Sequence, residues 1–571
     1  MKRILQVFYA SFSAIIFSAA IQNELLPFGS PFLGIFALAP LYLALRNSTS
    51  YLESSLLTGL QVLLVHLMSS FWLGFFRDFA IFTLGASALG TGVIGMVFGC
   101  YLHYFVGRRK STTLYGSDAP IHPALFFAVV WTLYEWAKST GFLAYPWGTL
   151  VMTAYRWSLV TQIVDITGTW GLSFLFALFA ALVGEGLYLL PSSTGLSRMK
   201  CLEPMAGTRT AFRSYRQLTA AWMALIVLTV LYGGWQLGRD WIPVKHMETV
   251  MVQQNIDSWV VGGDTLPIQI SQDLTDAAVE ECLAATGDKP DLVVWSESVL
   301  SYTFPESESY YHHNPDPRPF IPYVESVGVP FVVGGATTVN REERMYSNSA
   351  LYFDSDGEYE GFYAKMQLVP FAEVIPGAQY QWVRKLLDAI VGFSSGWTPG
   401  TALTLFSVPL KSGGQVRISL PICFEDAFPP VCRALYRAGS EVFVNITNDS
   451  WSMTNSAEYQ HFAIASYRAI EYRTTLIRST NSGYSVVVDP RGTVIADMPL
   501  FEAASRYTSV PIYQRTTTVY SMVGDWVPAT CFVLALLALF RNVNSKKQIG
   551  HPESKTCVRM KKTVEKRSEG L

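Results

Sequence analysis

Apolar residues run along the first 240 positions in long blocks. Seven of these, at about 4–20, 28–45, 56–76, 79–106, 123–143, 160–190 and 218–237, are near the roughly 20 residues a helix needs to cross the hydrocarbon of a bilayer. The second is short, and the sixth is long enough to tilt or break. An eighth block lies at 523–540. Lys2 and Arg3 ahead of the first block, with small residues near Ala20, imitate a signal peptide, but the later blocks make cleavage irrelevant to the architecture. With eight crossings, Lys2, Arg3, Arg46, Arg108, Arg109, Lys110, the 198–216 cations and Arg541 fall on one side, and only Arg77 and Arg156 in short loops on the other. Cations collect on the cytoplasmic side, so both termini are expected in the cytoplasm and the large 240–520 segment outside it.

That segment has a different pattern. Short β-rich runs recur at 250–256, 292–295, 331–335, 349–353, 416–422, 442–447 and 484–488, with helix-like stretches at 268–285 and 457–472 between them. Asp354-Ser-Asp-Gly357 and Asp489-Pro-Arg-Gly492 each read as a hairpin turn. The expected organisation is a polytopic α-helical membrane domain at 1–239, an α/β domain at 240–520, an eighth span at 521–541 and a basic, polar tail at 542–571. A composition of 50% hydrophobic and 15% charged residues agrees with a membrane setting, and a net charge of -2 gives no support to nucleic-acid binding. The seven cysteines have no metal-site spacing. Cys423 and Cys432 are close enough in sequence to bridge, but the intervening Pro429-Pro430 makes no case for it, and free thiols are expected.

Several polar residues interrupt the apolar blocks. Glu135 and Lys138, at i and i+3, share a helix face and can pair, as a functional group or as a structural ion pair near the interface. Asp165, just before Gly168 and Gly171, marks either the start of the sixth span or a cavity-facing site. Tyr145-Pro146-Trp147 has the composition of an interfacial anchor.

Chemistry is suggested where strands end. The alternating run Val416, Ile418, Leu420, Ile422 stops at Cys423, before Phe424, Glu425 and Asp426. A strand-to-helix turn is a common place to present a nucleophile, although a buried inert thiol is the commoner role for a cysteine. Leu292-Val-Val-Trp-Ser ends at Glu297, and Gly361-Phe-Tyr-Ala ends at Lys365. A thiol of ordinary pKa near ~8.5 needs a neighbouring base, which Glu297 can be, and an ammonium such as Lys365 can stabilise an oxyanion. Singly, each residue also reads as a surface charge or core packing.

Together, Trp295-Ser-Glu297, the 363–373 stretch Y-A-K-M-Q-L-V-P-F-A-E, Cys423-Phe-Glu-Asp426, Asn448-Asp-Ser-Trp451 and the 478–483 stretch R-S-T-N-S-G resemble the carbon-nitrogen hydrolase, or nitrilase, superfamily. E-W-A-K at 135–138, Y-P-W at 145–147, Q-H at 460–461, R-A-I-E at 468–471 and V-G-D-W at 523–526 are similar to its membrane branch, the apolipoprotein N-acyltransferases. The resemblance implies a nitrilase-like αββα sandwich at 240–520, with Glu297 as general base, Lys365 as oxyanion stabiliser and Cys423 as nucleophile. It implies supporting roles for Glu373 and Glu425, with Phe424 beside the thiol. Trp147, Trp259, Asn448 and Asp449 are substrate-binding candidates, and His461, in a helix-like run, is expected to be structural. Departures from the family pattern fall at Ser296, Ala372, Val374, Phe424 and the early Trp259; Phe424 lacks a tyrosine hydroxyl.

The implied reaction moves a fatty acyl chain from a membrane phospholipid, expected to be phosphatidylethanolamine, through a cysteine thioester to the N-terminal amine of diacylglyceryl-cysteine on an apolipoprotein. No metal or organic cofactor is called for. The implied location is a bacterial inner membrane, multi-pass, with the catalytic domain on the periplasmic side and the protein a monomer. A membrane-tethered amidase or nitrilase, and a transporter or sensor with a non-catalytic outer domain, are the alternatives.

Overall fold

The structure, a computed structural model, describes residues 2–549 apart from 77–79, 108–121, 142, 190–205, 258–262, 371, 375–381, 383–384 and 386–395. Among the described residues five helices are long and apolar enough to cross a membrane: Lys2–Ala20, Tyr51–Ser69, Thr83–Val106, Thr169–Leu189 and Arg213–Gly238. Of the other expected crossings, 28–45 and 523–540 give only the shorter apolar stretches Pro31–Arg46 and Trp526–Phe540, and 123–143 is also short. The 28–45 block is two helices, Pro31–Phe36 and Ala39–Arg46, divided just before Pro40, which has no N–H to continue the first. The 123–143 block is helical only over Pro123–Lys138. The 160–190 block breaks at Gly168, which takes a φ of +61° and lies so close to Tyr520 that a Cβ would sit 2.5 Å from its ring. The last helix, Trp526–Ile549, passes the expected end of the span at 541 and continues into the basic tail; residues beyond 549 lie outside the described part.

From Lys245 onward the chain builds two sheets. The first has the order Ala504–Ile512, Lys245–Gln253, Leu292–Val294, Phe331–Asn340, Met345–Phe353, Tyr359–Ala364, with Thr303–Phe304 paired beside Phe331–Asn340. The second has the order Val494–Asp497, Val486–Val488, Thr475–Thr480, Val442–Thr447, Gln415–Ser419, Leu405–Pro409. The central strands of each are parallel, as strands covered on both faces tend to be. Alternation distributes their side chains: Val250 and Val252 face the helices Thr265–Thr286 and Phe320–Val327, while Met247 and Met251 face the second sheet. Pro429–Ala438 and Asn455–Tyr472 cover the second sheet, completing an αββα sandwich. Three strands carry no clear pattern in the sequence. Leu405–Pro409 and Ala504–Ile512 are edge strands, each with a proline where no partner needs its N–H. Thr475–Thr480 is fully buried although four of its six residues are polar.

Helix Asn455–Tyr472 joins the two domains. Phe462, Ala465, Ala469 and Tyr472 pack on the second sheet, while Ala457, Ile464, Tyr467 and Ile470 pack into the core of the helical domain. Polar contacts fix its orientation. Gln460 donates to the carbonyls of Gln22 and Ser69, both at 2.8 Å, and accepts from the Trp72 indole at 3.2 Å. Arg473 reaches Asp165 at 2.7 Å and Gln162 at 2.6 Å, so Asp165 is an interdomain ion-pair partner. Within the helical part, Asp525 at the start of the last span accepts from the indoles of Trp136 and Trp170, both at 3.0 Å. Glu135 and Lys138 each turn to the backbone of the 145–150 loop: Glu135 accepts from the Leu150 N–H at 2.9 Å, and Lys138 donates to the carbonyls of Trp147 and Gly148 at 2.6 and 3.1 Å.

Replacing Arg473 with leucine leaves Asp165 buried without its cation. The variant is expected to be less stable by about 3–5 kcal/mol, read as a lower thermal unfolding midpoint in detergent. Adding Asp165→Asn is expected to recover part of the loss; a double variant no more stable than Arg473→Leu alone would show that the ion pair is not the cause.

Candidate active site

The strand leading to Cys423 ends its ladder at Ser419, because Pro421 has no N–H to donate, and Ile422 makes one further bridge to Ile446. Cys423 then opens a 3-10 turn, Cys423–Ala427, in which its own φ is +51°. Non-glycine residues rarely adopt that region, and it persists only where the surroundings hold it. Here the Asn445 amide donates to the carbonyls of Pro421 and Cys423 at 3.0 and 2.8 Å. Glu425 accepts from the N–H groups of Ile422, Met366 and Gln367 at 2.8, 2.7 and 3.0 Å, and from the Tyr363 hydroxyl. This buried carboxylate ties the thiol's turn to the segment just after Lys365. Burial pushes it up to about 7, against those backbone donors and Lys365. Cys423 and Cys432 are both free thiols.

Glu297 and Lys365 converge on the same place from the first sheet. Gly334 makes this possible: a Cβ there would lie 2.4 Å from the Glu297 Cα, so only glycine lets strand Phe331–Asn340 run behind the carboxylate. One oxygen of Glu297 accepts from the Asn348 amide at 2.7 Å and lies 3.4 Å from the Lys365 ammonium; the other accepts from the Asn448 N–H at 2.8 Å. Lys365 makes a closer pair with Glu373 at 2.8 Å, and Glu373 is itself held by Asn348 and the Val369 N–H. Burial pushes the Cys423 thiol well above its usual range, and Glu297 adds to this while Lys365 opposes it. Burial also raises Glu297, with Lys365 opposing and Glu373 adding. It would lower Lys365, but Cys423, Glu373 and Glu297 lift the ammonium instead. At rest the site therefore has a neutral thiol, a firmly charged lysine, and a carboxylate more basic than one in water.

These groups open into a cavity of about 470 Å3 with walls from both domains. The sandwich contributes Glu297, Lys365, Glu373, Cys423, Asn448 and Asp449; the helical domain contributes Trp72, Phe76, Gly90, Ile94, Lys138 and Trp147. Trp147 is buried, not at a lipid-facing interface, and its ring stacks on Phe424 at 5.7 Å. Phe424 also meets Phe428 at 5.1 Å and has the Lys365 ammonium 5.6 Å from its centroid, an aromatic wall to which a hydroxyl would add a polar atom. Asn448 uses its backbone on Glu297 and its side-chain oxygen on Ser450 and Asn481. Trp259 lies outside the described residues. Two side chains with no place in the sequence reading, Asn348 and Asn445, hold the site together. Asn445 is a lone amide inside the largely apolar strand Val442–Thr447, and Asn348 sits between Ser347 and Ser349 in Met345–Phe353.

His461 lies at the edge of the cavity with both ring nitrogens engaged, by Asp449 at 2.9 Å and Asp426 at 3.0 Å; Asp426 also pairs with the buried Arg478. This is a structural clamp on both carboxylates. Burial would lower the imidazole, but Asp449 and Asp426 outweigh it and Arg478, raising it to about 9.

Residues 273–515 match the family described as carbon-nitrogen hydrolase, and residues 13–182 match the apolipoprotein N-acyltransferase N-terminal domain. The sandwich is thus a carbon-nitrogen hydrolase domain fused to a membrane-helix bundle. The chain is 44% identical to apolipoprotein N-acyltransferase 2 of Treponema denticola, over 95% of this chain and 98% of that protein. It is 40% identical to apolipoprotein N-acyltransferase 2 of Treponema pallidum over 91% and 92%, and 28% identical to the apolipoprotein N-acyltransferase of Borreliella burgdorferi over 90% and 92%. The chain belongs to the apolipoprotein N-acyltransferase family, as a multi-pass membrane protein. Neither the tethered amidase nor the transporter reading is favoured by these matches.

The stability contributed by the His461 clamp is present in full below about pH 6.5 and is lost as the pH rises through about 9. Thermal unfolding followed from about pH 6 to 10 is expected to fall more steeply in the unsubstituted protein than in His461→Gln. Parallel curves would mean the imidazole carries no linked proton.

Proposed function

We propose that this protein is the N-acyltransferase of lipoprotein maturation, working by two acyl transfers through Cys423. The observation that carries the reading is the cavity itself, in which the thiol, Glu297 and Lys365 share one space with membrane-helix side chains. A small soluble amide has no use for such a wall; a lipid ester does. In the first transfer the Cys423 sulfur attacks an ester carbonyl of a phospholipid while Glu297 takes the thiol proton. Lys365 faces the oxyanion. As the carbon–oxygen ester bond breaks, Glu297 returns the proton to the departing lysophospholipid and the thioester remains. In the second, the N-terminal amine of a diacylglyceryl-cysteine attacks the thioester, Glu297 accepts the amine proton, and the thiol is re-formed.

Glu373 and Glu425 act by position, Glu373 on Lys365 and Glu425 on the turn that carries Cys423. Trp147, Asn448 and Asp449 form the pocket wall. Phosphatidylethanolamine is the proposed donor. The proposed setting is the bacterial inner membrane, with the sandwich on the periplasmic side, both termini cytoplasmic, and the protein acting as a monomer. The cation distribution beside the apolar blocks supports this orientation.

Intact-mass analysis after exposure to phospholipid tests the reaction. A fatty-acyl adduct is expected on Cys423, stable until a diacylated lipopeptide is added and then discharged to it. Cys423→Ala is expected to form no adduct, and Glu297→Gln to slow formation by about 10²–10⁴-fold. An adduct that water discharges as fast as the lipopeptide does would favour hydrolysis over transfer.

A further inference from the structure

The cavity has two unlike walls. Opposite the reactive groups, helix Thr83–Val106 presents Thr83, Ala86, Ser87, Gly90, Thr91 and Ile94. Ser87, Gly90, Thr91 and Ile94 fall on one face at α-helical spacing, and Thr83 and Ala86 precede them in the π-helical turn Ile81–Ala86. The wall is apolar in effect, because its hydroxyls are occupied: Thr83 donates to the Leu73 carbonyl at 2.8 Å, Thr91 to the Ser87 carbonyl at 2.7 Å, and Ser87 to the Thr83 carbonyl. Leu73, Phe76, Leu143 and Ala144 continue it.

Two glycines further along this helix are small because the chain packs on them. A Cβ on Gly95 would lie 3.1 Å from Val62, and one on Gly99 2.7 Å from the Ser54 carbonyl, where helix Tyr51–Ser69 crosses. At Gly90, as at Gly85, a Cβ meets nothing within 4 Å, and of these two it is Gly90 that lines the cavity. Its missing side chain leaves room in the cavity that no neighbour in the chain requires. Gly90 and Ala86 are also exposed, so the trough is open along this helix. From Thr83 to Ile94 it runs about 16 Å along the helix axis, comparable with a fatty acyl chain.

We propose that Gly90 sets the length of acyl chain the protein accepts. The donor's chain lies along the face from Thr83 to Ile94, its carbonyl at Cys423 and its methyl end past Gly90. This rests on the thioester reading above and adds to it the element that selects the chain.

Gly90→Leu tests it, and leucine favours a helix over glycine, so folding is preserved. The full-length protein in detergent micelles is given equal dioctanoyl- and dipalmitoyl-phosphatidylethanolamine, and the acyl groups on Cys423 are weighed. The palmitoyl-to-octanoyl ratio is expected to fall at least about ten-fold in Gly90→Leu, with Gly90→Ala between; an unchanged ratio overturns the proposal. A second measurement does not need the chemistry. Cys423→Ala protein is irradiated with a phospholipid carrying a diazirine at its acyl methyl end, and crosslinks are expected within residues 83–94. Crosslinks elsewhere overturn the subsite, whereas crosslinks at 83–94 with no adduct on unsubstituted Cys423 overturn the thioester reading alone.

Discussion

Helix Asn455–Tyr472 has apolar side chains on two opposite faces, and both can leave water together only if the bundle and the sandwich are pressed against it. The cavity depends on that joint. Its sandwich wall is carried by the first sheet and the turn at Cys423, its other wall by membrane helices, and the interdomain packing fixes the gap between them. The polar contacts at the joint, Gln460 to Gln22 and Ser69 and Arg473 to Asp165, are directional where the apolar packing is not. They set the register of one domain on the other. The stretches that liken this chain to the membrane branch of its superfamily, around residues 135–138, 145–147, 460–461 and 523–526, lie at this joint or on the cavity beside it.

Within the site the arrangement is one of surplus negative charge around a single lysine. Glu297 and Glu373 both contact Lys365, and Glu425 lies close enough to feel it. Such a cluster is tolerable in a buried place because each carboxylate also accepts backbone or amide N–H groups. The donors matter for more than energy. They restrain each carboxylate, so Glu297 and the Lys365 ammonium keep their separation.

Long apolar blocks were legible in the sequence, and so were strands that end in a charged residue or a thiol, because both are uncommon patterns with few physical explanations. Glu297, Lys365 and Cys423 could be singled out for that reason, and the structure brings them to one cavity. What could not be read depends on neighbours distant in sequence. The i, i+3 spacing of Glu135 and Lys138 suggests a pair, yet the folded chain brings the 145–150 backbone between their needs. Thr475–Thr480 looks too polar for a central strand, but Arg478 finds Asp426 and the threonines and serine find buried partners. Helix breaks at Pro40 and Gly168 disappear into continuous hydropathy, since a single residue alters backbone geometry without altering the apolar average.

The membrane-side wall of the cavity has a consequence for how the protein should be measured. A reactant that arrives along helix Thr83–Val106 approaches through a film, not through a volume, so its effective concentration is a number of molecules per unit area. Diluting a suspension of vesicles leaves that density unchanged, whereas mixing in inert lipid lowers it. For such a reactant, rate constants would be properties of mole fraction in the bilayer, and two preparations with equal molar lipid but different surface composition would be two different substrate concentrations.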